Sequence, residues 1–285
     1  MAIGTGPRGF TRQSAFNAVM YALLAAGLAF IVYPIYMAVA SSLKTQQEMI
    51  RSFITLPSKL YLGNYAEIFR DKGFVSSLYN SVLITAMSLV LIITVIPLLS
   101  YSLERNSERR GYKIAFIYIM LGIFIPFQIV MLPIVKIMSN VRLLNRVGMV
   151  IIYLALSVPK MSFLYFGFMK SIPLEVEESA FIDGAGIWKI FVRIVYPLLR
   201  PMTASVIILQ GLWIWNDFMT PLIILNKQSK FWTLPLFQYN FMGEFVSKYN
   251  LVFAALVLSM LPILLLYIFM QKNIMQGLTE GAVKG

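Results

Sequence analysis

The chain has 285 residues, of which 59% are hydrophobic and 13% are charged, and its 24 basic and 12 acidic residues give a net charge of +12. An average soluble domain is about 25% charged, so this composition excludes both an ordinary soluble domain and a disordered chain. The sequence contains no cysteine and no histidine, which excludes disulfides, thiolate or imidazole metal ligands, cysteine nucleophiles and histidine general bases.

Long uncharged runs predict an all-α membrane protein with six transmembrane helices, because about 20 apolar residues are needed to cross the hydrocarbon core. Lysines and arginines are divided almost evenly between the two sides, so the positive-inside rule does not orient the chain. The positive charge is typical of loops facing anionic lipid headgroups rather than of nucleic-acid binding. Six spans place the tails, residues 1–14 and 272–285, on one side. The predicted spans cover about 15–43, 76–103, 114–136, 147–169, 201–226 and 249–271.

The segment between the fourth and fifth spans, residues 170–200, has the pattern of two short helices. Pro173 suits the first turn of a helix that continues to Asp183, and Gly184 and Gly186 favour a helix C-terminus. This first helix is acidic and is predicted to project from the bilayer toward a partner. The second helix is predicted to lie in the membrane interface, with apolar positions Ile187, Ile190, Phe191, Ile194 and Leu198 and polar positions Lys189, Arg193, Tyr196 and Arg200.

The same segment carries a spaced motif. It reads Glu178-Ser179-Ala180, three residues, Gly184, nine residues, Ile194, two residues and Pro197. This pattern resembles the EAA loop of the permease subunits of bacterial ABC importers, with Ser179 where alanine is usual and Tyr196 where leucine is usual. The spacing matches the family pattern throughout.

Other segments are similar to carbohydrate permeases in their first external loop, their fifth helix and the C-terminal tail of the smaller permease of maltose-type importers. The resemblance therefore covers nearly the whole chain and favours the oligosaccharide-uptake class. The segments are Ser42-Leu43-Lys44, Pro57-Ser58 and Asn64-Tyr65 for the loop, Trp215-Asn216-Asp217-Phe218 and Pro221-Leu222 for the helix, and 277–285 for the tail.

The resemblance implies the six-span fold of type I ABC importer permeases in the bacterial cytoplasmic (inner) membrane, with residues 170–200 and both termini in the cytoplasm. It implies three partners: a second homologous permease, a cytoplasmic ATPase dimer, and an extracellular or periplasmic solute-binding protein. The chain lacks the G-x-x-x-x-G-K-[ST] phosphate-binding motif, so ATP and Mg²⁺ are expected on the partner ATPase. This chain is then a non-catalytic subunit with no cofactor or metal of its own and no nucleic-acid partner.

Coupling to the ATPase is assigned to the EAA loop by resemblance. Glu178 is expected to be the charged residue that contacts the ATPase, and Gly184 to allow the sharp turn between the two short helices. The alternative is a solvated acidic loop without a partner. The tail from Gln276 to Gly285 either reaches the ATPase dimer or is a frayed terminus. The residues assigned to coupling are Glu177, Glu178, Ser179, Ala180, Asp183, Gly184, Ile194 and Pro197.

Polar residues inside the spans are candidates for the substrate path, because such residues face a partner helix or a water-filled cavity. The aromatic pair of Trp213 and Tyr153 is predicted to stack on a sugar ring, with amide side chains binding its hydroxyls. The alternative is contact between helices, which is favoured for Asn216 and Asp217. The remaining candidates are Gln128 on the third span and Gln210 on the fifth.

Lys160 is the most individual residue of the path candidates. It lies about ten residues, or roughly 15 Å of helix rise, from the end of its span, which is too deep for easy snorkelling. It is interpreted either as a contact for an anionic sugar such as a uronate or as a salt-bridge partner of the second permease. An excess of basic residues in the external loops also suits a polyanion.

Three alternative functions are compatible with a polytopic membrane protein. An ion-coupled secondary carrier would need paired buried carboxylates or inverted repeats, whereas the spans contain one acid and no obvious repeat. A membrane scaffold would explain the acidic loop but not the polar fifth helix. An ABC permease for a non-sugar solute would share the EAA loop, so the first external loop and the tail are what favour carbohydrate.

Overall fold

The computed structural model describes residues 12–239 and 248–282, with side chains described for 16–239 and 248–269. Regular structure is helical, and no β-strand occurs in these described ranges. The prediction of an all-α chain is therefore confirmed. The helices are α1 (Arg12–Ser42), α2 (Gln46–Arg51), α3 (Gly63–Arg70), α4 (Lys72–Arg105), α5 (Arg110–Leu121), α6 (Phe127–Asn140), α7 (Arg146–Met169), α8 (Glu175–Ile182), α9 (Ile187–Ile190), α10 (Tyr196–Leu198), α11 (Arg200–Asn216), α12 (Met219–Leu225), α13 (Leu234–Tyr239) and α14 (Tyr249–Ala282).

Several helices are long and apolar enough to cross a membrane. Two further pairs meet this test together but are sharply bent, and the count reaches six, the predicted number, when each pair is one span. Within the described residues, the four single helices are Phe16–Ser42, Lys72–Arg105, Arg146–Met169 and Tyr249–Phe269. The bent pairs are Arg110–Phe124 with Phe127–Asn140, at 106°, and Ile187–Leu198 with Arg200–Asn216, at 70°.

The third predicted span, residues 114–136, is not one continuous helix. Helix α5 ends at Leu121, a 3₁₀ turn follows, and α6 begins only at Phe127. The cause is Pro126, which has no N–H for the helical ladder and disfavours helical conformation in the residue before it. Ile125 is accordingly extended, with φ −85° and ψ 112°. Residues 122–126 are called the α5–α6 break below.

The fifth predicted span, residues 201–226, is also divided. Helix α11 ends at Asn216, Asp217 is extended with φ −70° and ψ 125°, and α12 begins at Met219. The sequence signal for this division is weak, because Trp215 to Phe218 contains neither glycine nor proline.

The chain divides into two compact units, which are considered separately. The first comprises Met1–Ile68 and Phe241–Val257, and the second comprises Phe69–Asn240 and Leu258–Gly285.

The first unit is organised around the buried side chain of Asn64. Its Nδ2 donates hydrogen bonds to the carbonyls of Ser42 and Lys44 at 2.8 and 2.7 Å, and its Oδ1 accepts one from Asn250 Nδ2 at 2.7 Å. The buried Lys44 ammonium donates to two backbone carbonyls that follow α2, at 3.0 and 3.1 Å. The two motifs of the first loop that contain these residues therefore meet in space.

Helix α2 begins with a capping box in the same unit. The Thr45 hydroxyl accepts the Glu48 N–H at 3.3 Å, and the Glu48 carboxylate accepts the Thr45 N–H at 3.1 Å. Hydrogen bonds from the Ser58 hydroxyl, first, and from the Thr45 N–H hold the pKa of Glu48 below its ordinary value. The box therefore stabilises the loop above the ordinary carboxyl pKa, and this contribution is lost as the pH falls through the lowered pKa.

In the second unit, α4 packs along α7. Ser100 and Ser162 are fully buried, and the Ser100 hydroxyl lies 3.5 Å from the Ser162 carbonyl oxygen. Small side chains let transmembrane helices approach closely. Gly122 shows the same property, because a Cβ atom added there would lie 2.7 Å from Pro159 Cγ. The α5–α6 break is thus packed directly against α7.

Candidate functional site

The segment from Ile172 to Arg200, called the coupling segment, consists of two short helical stretches joined by a sharp turn. Helix α8 has three acidic residues in its first turn, where negative charge is favoured by the helix dipole. The stretch after the turn contains α9, a π turn over Phe191–Val195, and α10. The predicted pair of helices is therefore present, but the second helix is irregular.

Glu177 is turned into the protein rather than toward solvent. Its carboxylate accepts hydrogen bonds from Arg105 Nε and Nη2 at 2.8 and 2.5 Å and from the Tyr101 hydroxyl at 2.7 Å. Arg105 Nη2 also lies 3.4 Å from the carbonyl oxygen of Ile172. Glu177 is only 8% exposed. This carboxylate therefore fixes the coupling segment to the end of α4 and does not face outward, and its assignment to coupling stays a prediction.

The remaining motif side chains of α8 differ in exposure. Glu178, Ser179 and Asp183 are exposed, and the Ser179 hydroxyl donates to the Val176 carbonyl at 3.1 Å. Ala180 is half-buried and packs against the hydrophobic core. The charge that α8 presents outward therefore comes from Glu175 and Glu178 and not from Glu177.

The turn after α8 depends on glycine at one position. Gly184 has φ +83°, a left-handed conformation that costs other residues energy. The Ala185 N–H donates to the Ala180 carbonyl and the Gly184 N–H to the Phe181 carbonyl, both at 3.0 Å, which is the pattern of a Schellman motif. The prediction for Gly184 is confirmed. Gly186, with φ −71°, instead precedes α9 in ordinary backbone conformation, so the same prediction is wrong there.

The π turn changes which residues of the second stretch are buried. A π turn inserts an extra residue into the helical repeat, and the buried residues are Ile190, Phe191, Val195 and Leu199. The predicted apolar stripe is therefore wrong at Ile187 and Leu198, which are exposed.

Tyr196 is predicted to lie on the polar face of the second helix, but it contacts the protein interior. Its hydroxyl donates to the Ile93 carbonyl of α4 at 3.1 Å, which makes a second link between the coupling segment and α4. Ile194 and Pro197 are half-buried, and Ile194 packs against the core. These two motif residues are therefore on the inner side of the segment and not on its exposed surface.

An exposed apolar surface flanks the turn, formed by Phe181, Ile182, Ile187 and Trp188 and called the coupling face. Ile182 is 84% exposed and the other three are 66–68% exposed. Large apolar side chains grouped in this way mark interaction sites. The sequence interpretation concentrated on charge and missed this surface, although an apolar pair on each side of Gly184 was visible.

Inside the spans, two predicted path residues use their polar groups within the protein. Tyr153 is fully buried, and its hydroxyl donates to Asp217 Oδ2 at 3.0 Å. Gln210 is buried, and its Oε1 accepts from the Ser157 hydroxyl at 2.9 Å. The prediction that Tyr153 stacks on a sugar is corrected, because its ring is covered and lies edge-on to Trp213 at 5.5 Å.

Asp217 stabilises the start of α12, where the fifth span is divided. Its Oδ1 accepts the N–H groups of Met219 and Thr220 at 3.0 and 3.4 Å, in the manner of an N-cap. The neighbouring Asn216 is exposed and donates only to the Leu212 carbonyl of its own helix, at 2.9 Å.

Lys160 and Trp213 line a cavity of about 490 Å³ beside the α5–α6 break. Both side chains are exposed, as is Gln128, the second residue of α6. Lys160 forms no hydrogen bond or ion pair with any residue that the structure describes. In the described part of the chain, no three Asp or Glu side chains come together to hold a metal ion. The other lining residues are 122–127, Val130, Ala155, Leu156 and Pro159.

Comparison with known proteins identifies relatives over nearly the whole chain. Residues 93–280 match the family described as "Binding-protein-dependent transport system inner membrane component". The multiple sugar-binding transport system permease protein MsmG of Streptococcus mutans is 40% identical over 266 residues, covering 93% of this chain and 96% of that protein. The melibiose/raffinose/stachyose import permease protein MelC of Bacillus subtilis is 35% identical over 254 residues, covering 88% and 91%.

A solved structure shares the fold. It is the crystal structure of a bacterial ABC transporter involved in the import of the acidic polysaccharide alginate, with a TM-score of 0.80 and 22% identity over 95% of this chain and 99% of that chain. At this identity the likeness concerns the fold alone.

Proposed function

The chain belongs to the family of binding-protein-dependent transport system inner membrane components, and we propose that it forms half of the translocation path for a sugar or oligosaccharide. The membership confirms the resemblance to importer permeases and the multi-pass membrane character predicted from the sequence. Carbohydrate is supported by the names of relatives, which include permeases for multiple sugars, for starch degradation products and for melibiose, raffinose and stachyose.

The partners belong to the same proposal. A second homologous permease completes the path, a cytoplasmic ATPase dimer binds ATP and Mg²⁺, and an external solute-binding protein delivers the substrate. The coupling segment and both termini then lie in the cytoplasm. The solute-binding partner is supported by the family's description as binding-protein-dependent.

The coupling face is the observation that carries the proposal. A tight turn at Gly184 holds four exposed apolar side chains outward, while Glu177 and Tyr196 fix the segment to α4. The coupling face, with the charged Glu178 beside it, is suited to bind in a groove on a soluble partner. Residues that fill a pocket at the centre of an interface contribute most of the binding energy.

The mechanism follows from these attachments. ATP binding shifts a conformational equilibrium only if the ATPase contacts the two states of the permease differently. A movement imposed on the coupling face passes through the Arg105–Glu177 ion pair to α4, and from α4 to α7 along their shared contact. Helix α7 carries Lys160, so the movement reaches the cavity beside the α5–α6 break.

A matched pair of variants tests docking at the coupling face. Ile182→Ser removes an apolar contact there, whereas Ile54→Ser changes an equally apolar side chain that is 64% exposed in the loop after α2. We expect Ile182→Ser to reduce the ATPase that co-purifies with the tagged chain by about tenfold, the scale of an interface hot spot. Ile54→Ser is expected to leave ATPase recovery unchanged.

The same preparation tests the importer itself. Purification with a second permease and an ATPase, and ATP-dependent uptake of an oligosaccharide in liposomes, are the expected results. Full ATPase recovery with Ile182→Ser would contradict the docking role. Sugar transport by the chain alone, without ATP, would contradict the importer and favour an ion-coupled carrier.

A further inference from the structure

Resting on the proposed import of carbohydrate, the geometry points to a subsite for an anionic sugar at the cavity that Lys160 and Trp213 line. The Lys160 ammonium is the group that would bind a carboxylate, sulfate or phosphate of the sugar. Trp213 would offer an apolar face for the ring. The substrate class is thus an acidic oligosaccharide, such as one that contains uronic acid residues.

The position of Lys160 makes an unpaired charge costly. It lies nine residues before the end of α7, about 14 Å of helix rise, and hence in the middle part of the span. Ionisable residues at this depth face a partner or a water-filled path. The residues that the structure describes provide no hydrogen-bonding or ionic partner for Lys160. Its charge is therefore left for a group other than the described residues of this chain.

The shape beside Lys160 favours a ligand over a partner helix. The α5–α6 pair bends by 106°, and the break opens a recess of about 490 Å³. This volume lies within the range of about 300–1,000 Å³ that is typical of small-molecule sites. A helix of a second permease packs through close contact of surfaces, whereas the break leaves an open volume beside Lys160.

The chemistry of the lining is appropriate for an acidic sugar. Trp213 is 42% exposed, and its inner contact with Tyr153 holds the indole in place. Pro126 and Phe127 at the start of α6 line the same cavity, so the positive end of that helix adds a weaker potential of the same sign. The charge of Lys160 is the larger contribution.

The contrast with the nearby acid supports this reading. Asp217 is occupied by two N–H groups and the Tyr153 hydroxyl, and it does not line the cavity. The cavity therefore has one fixed positive charge and no opposing carboxylate among the described residues that line it. A neutral sugar would leave that charge without a counter-ion.

The test uses intact cells of the native host with the variant introduced in the chromosome. The probes are two oligosaccharide mixtures, one acidic from digests of pectate and alginate, and one neutral from digests of starch and arabinan. Uptake of each component is measured by mass spectrometry in the wild type, in a deletion of this chain, and in Lys160→Met, Lys160→Arg and Trp213→Phe variants. Immunoblots of membranes establish that each variant is present.

We expect the deletion to abolish uptake of an acidic component. Lys160→Met is expected to reduce that uptake about tenfold or more, the scale of a lost charged hydrogen bond, whereas Lys160→Arg keeps most of it. Trp213→Phe is expected to lower it less.

Four results would overturn the inference. Loss of only neutral components in the deletion would refute it while leaving the proposed function intact. Loss of no oligosaccharide in the deletion would refute the proposed function as well. Normal acidic uptake in Lys160→Met, or loss of the second permease from the purified variant, would assign Lys160 to a different role, such as a salt bridge between permeases.

Discussion

The coupling segment and the cavity beside the α5–α6 break both lie at interruptions of helices, but they place charge differently. In the coupling segment, the carboxylate of Glu177 is buried in an ion pair, and the surface around the turn is apolar. Behind the cavity lining, the buried Tyr153 and Gln210 form hydrogen bonds within the protein, whereas the ammonium of Lys160 in the lining is left open.

The two regions are suited to different kinds of partner. A buried, paired charge holds a segment in one position, because removal of either partner leaves an uncompensated charge. An open charge at membrane depth is instead available to a ligand. The coupling segment is thus attached by a buried ion pair and presents an apolar surface, whereas the cavity is backed by side-chain hydrogen bonds and presents a charge.

The strongest way to break this comparison is to remove the internal ion pair. Arg105→Met leaves the Glu177 carboxylate buried without its cation, and we expect a loss of about 3 kcal/mol in the free energy of unfolding. This loss corresponds to a fall of up to about 6 °C in the thermal unfolding midpoint of the purified complex, since the shift per kcal/mol decreases with size.

Arg109→Met is the matched control, because Arg109 is exposed and forms no ion pair among the described residues. The double variant Arg105→Met with Glu177→Leu is expected to recover only part of the stability, since the Glu177 charge is then removed but Glu104, which also pairs with Arg105, keeps its charge. Equal midpoints for Arg105→Met and Arg109→Met would show that the pair does not hold the segment.

The second test concerns the hydrogen bonds of Asp217 near the cavity. Asp217→Ala removes the cap on Met219 and Thr220, which is worth about 1 kcal/mol, and leaves the buried Tyr153 hydroxyl without its acceptor, at a similar cost. We expect a combined loss of about 2 kcal/mol, measured by thermal unfolding. Asn216→Ala, one residue away, is expected to change the midpoint little. A larger effect of Asn216→Ala would reverse the assigned roles.

The smallest effect is expected at the turn of the coupling segment. A Cβ atom added at Gly184 or at Gly186 meets no atom within 4 Å, so the two alanine variants differ only in backbone conformation. Gly184→Ala forces alanine to φ +83°, which costs about 1–2 kcal/mol, partly offset by the lower entropy of the unfolded chain. We expect a net loss of about 1 kcal/mol and reduced uptake.

Gly186→Ala is expected to be neutral or slightly stabilising for the opposite reason, because φ −71° suits alanine. Uptake and unfolding midpoints measured side by side provide the comparison. Equal behaviour of the two variants would mean that the left-handed turn does not set the position of the coupling face.

Local patterns predicted the features that depend on local chemistry. The all-α class, the two helices around residue 184 and the need for Gly184 all follow from hydropathy and turn preferences within a few residues. The break at Pro126 was visible as a proline, but the bend of 106° was not, because its size depends on packing such as that of Gly122 against Pro159.

Long-range pairing accounts for most of what the sequence did not predict. In the sequence, Glu177 is one of several acidic residues on a helix predicted to be exposed. Its partner Arg105 lies 72 positions earlier, so no local pattern indicates the pair. Tyr196 reads as polar, but the π turn and the Ile93 carbonyl decide its position. The sequence predicts Tyr153 and Gln210 as ligand contacts, because polar side chains in a span commonly face a substrate path. The structure shows that both already form hydrogen bonds within the protein.

The hydrogen bond between Asn64 and Asn250 has a consequence for how the protein is made. These residues are 186 positions apart, and a ribosome adding about 5–20 residues per second takes roughly 10–40 s to synthesise the stretch between them. During that interval the Asn64 Oδ1 has no Asn250 to accept from, although its amide can already join the carbonyls of Ser42 and Lys44. The unit at the N-terminus is thus completed only when the last helix emerges, so a prematurely terminated chain keeps an unfinished polar core that quality-control proteases can recognise.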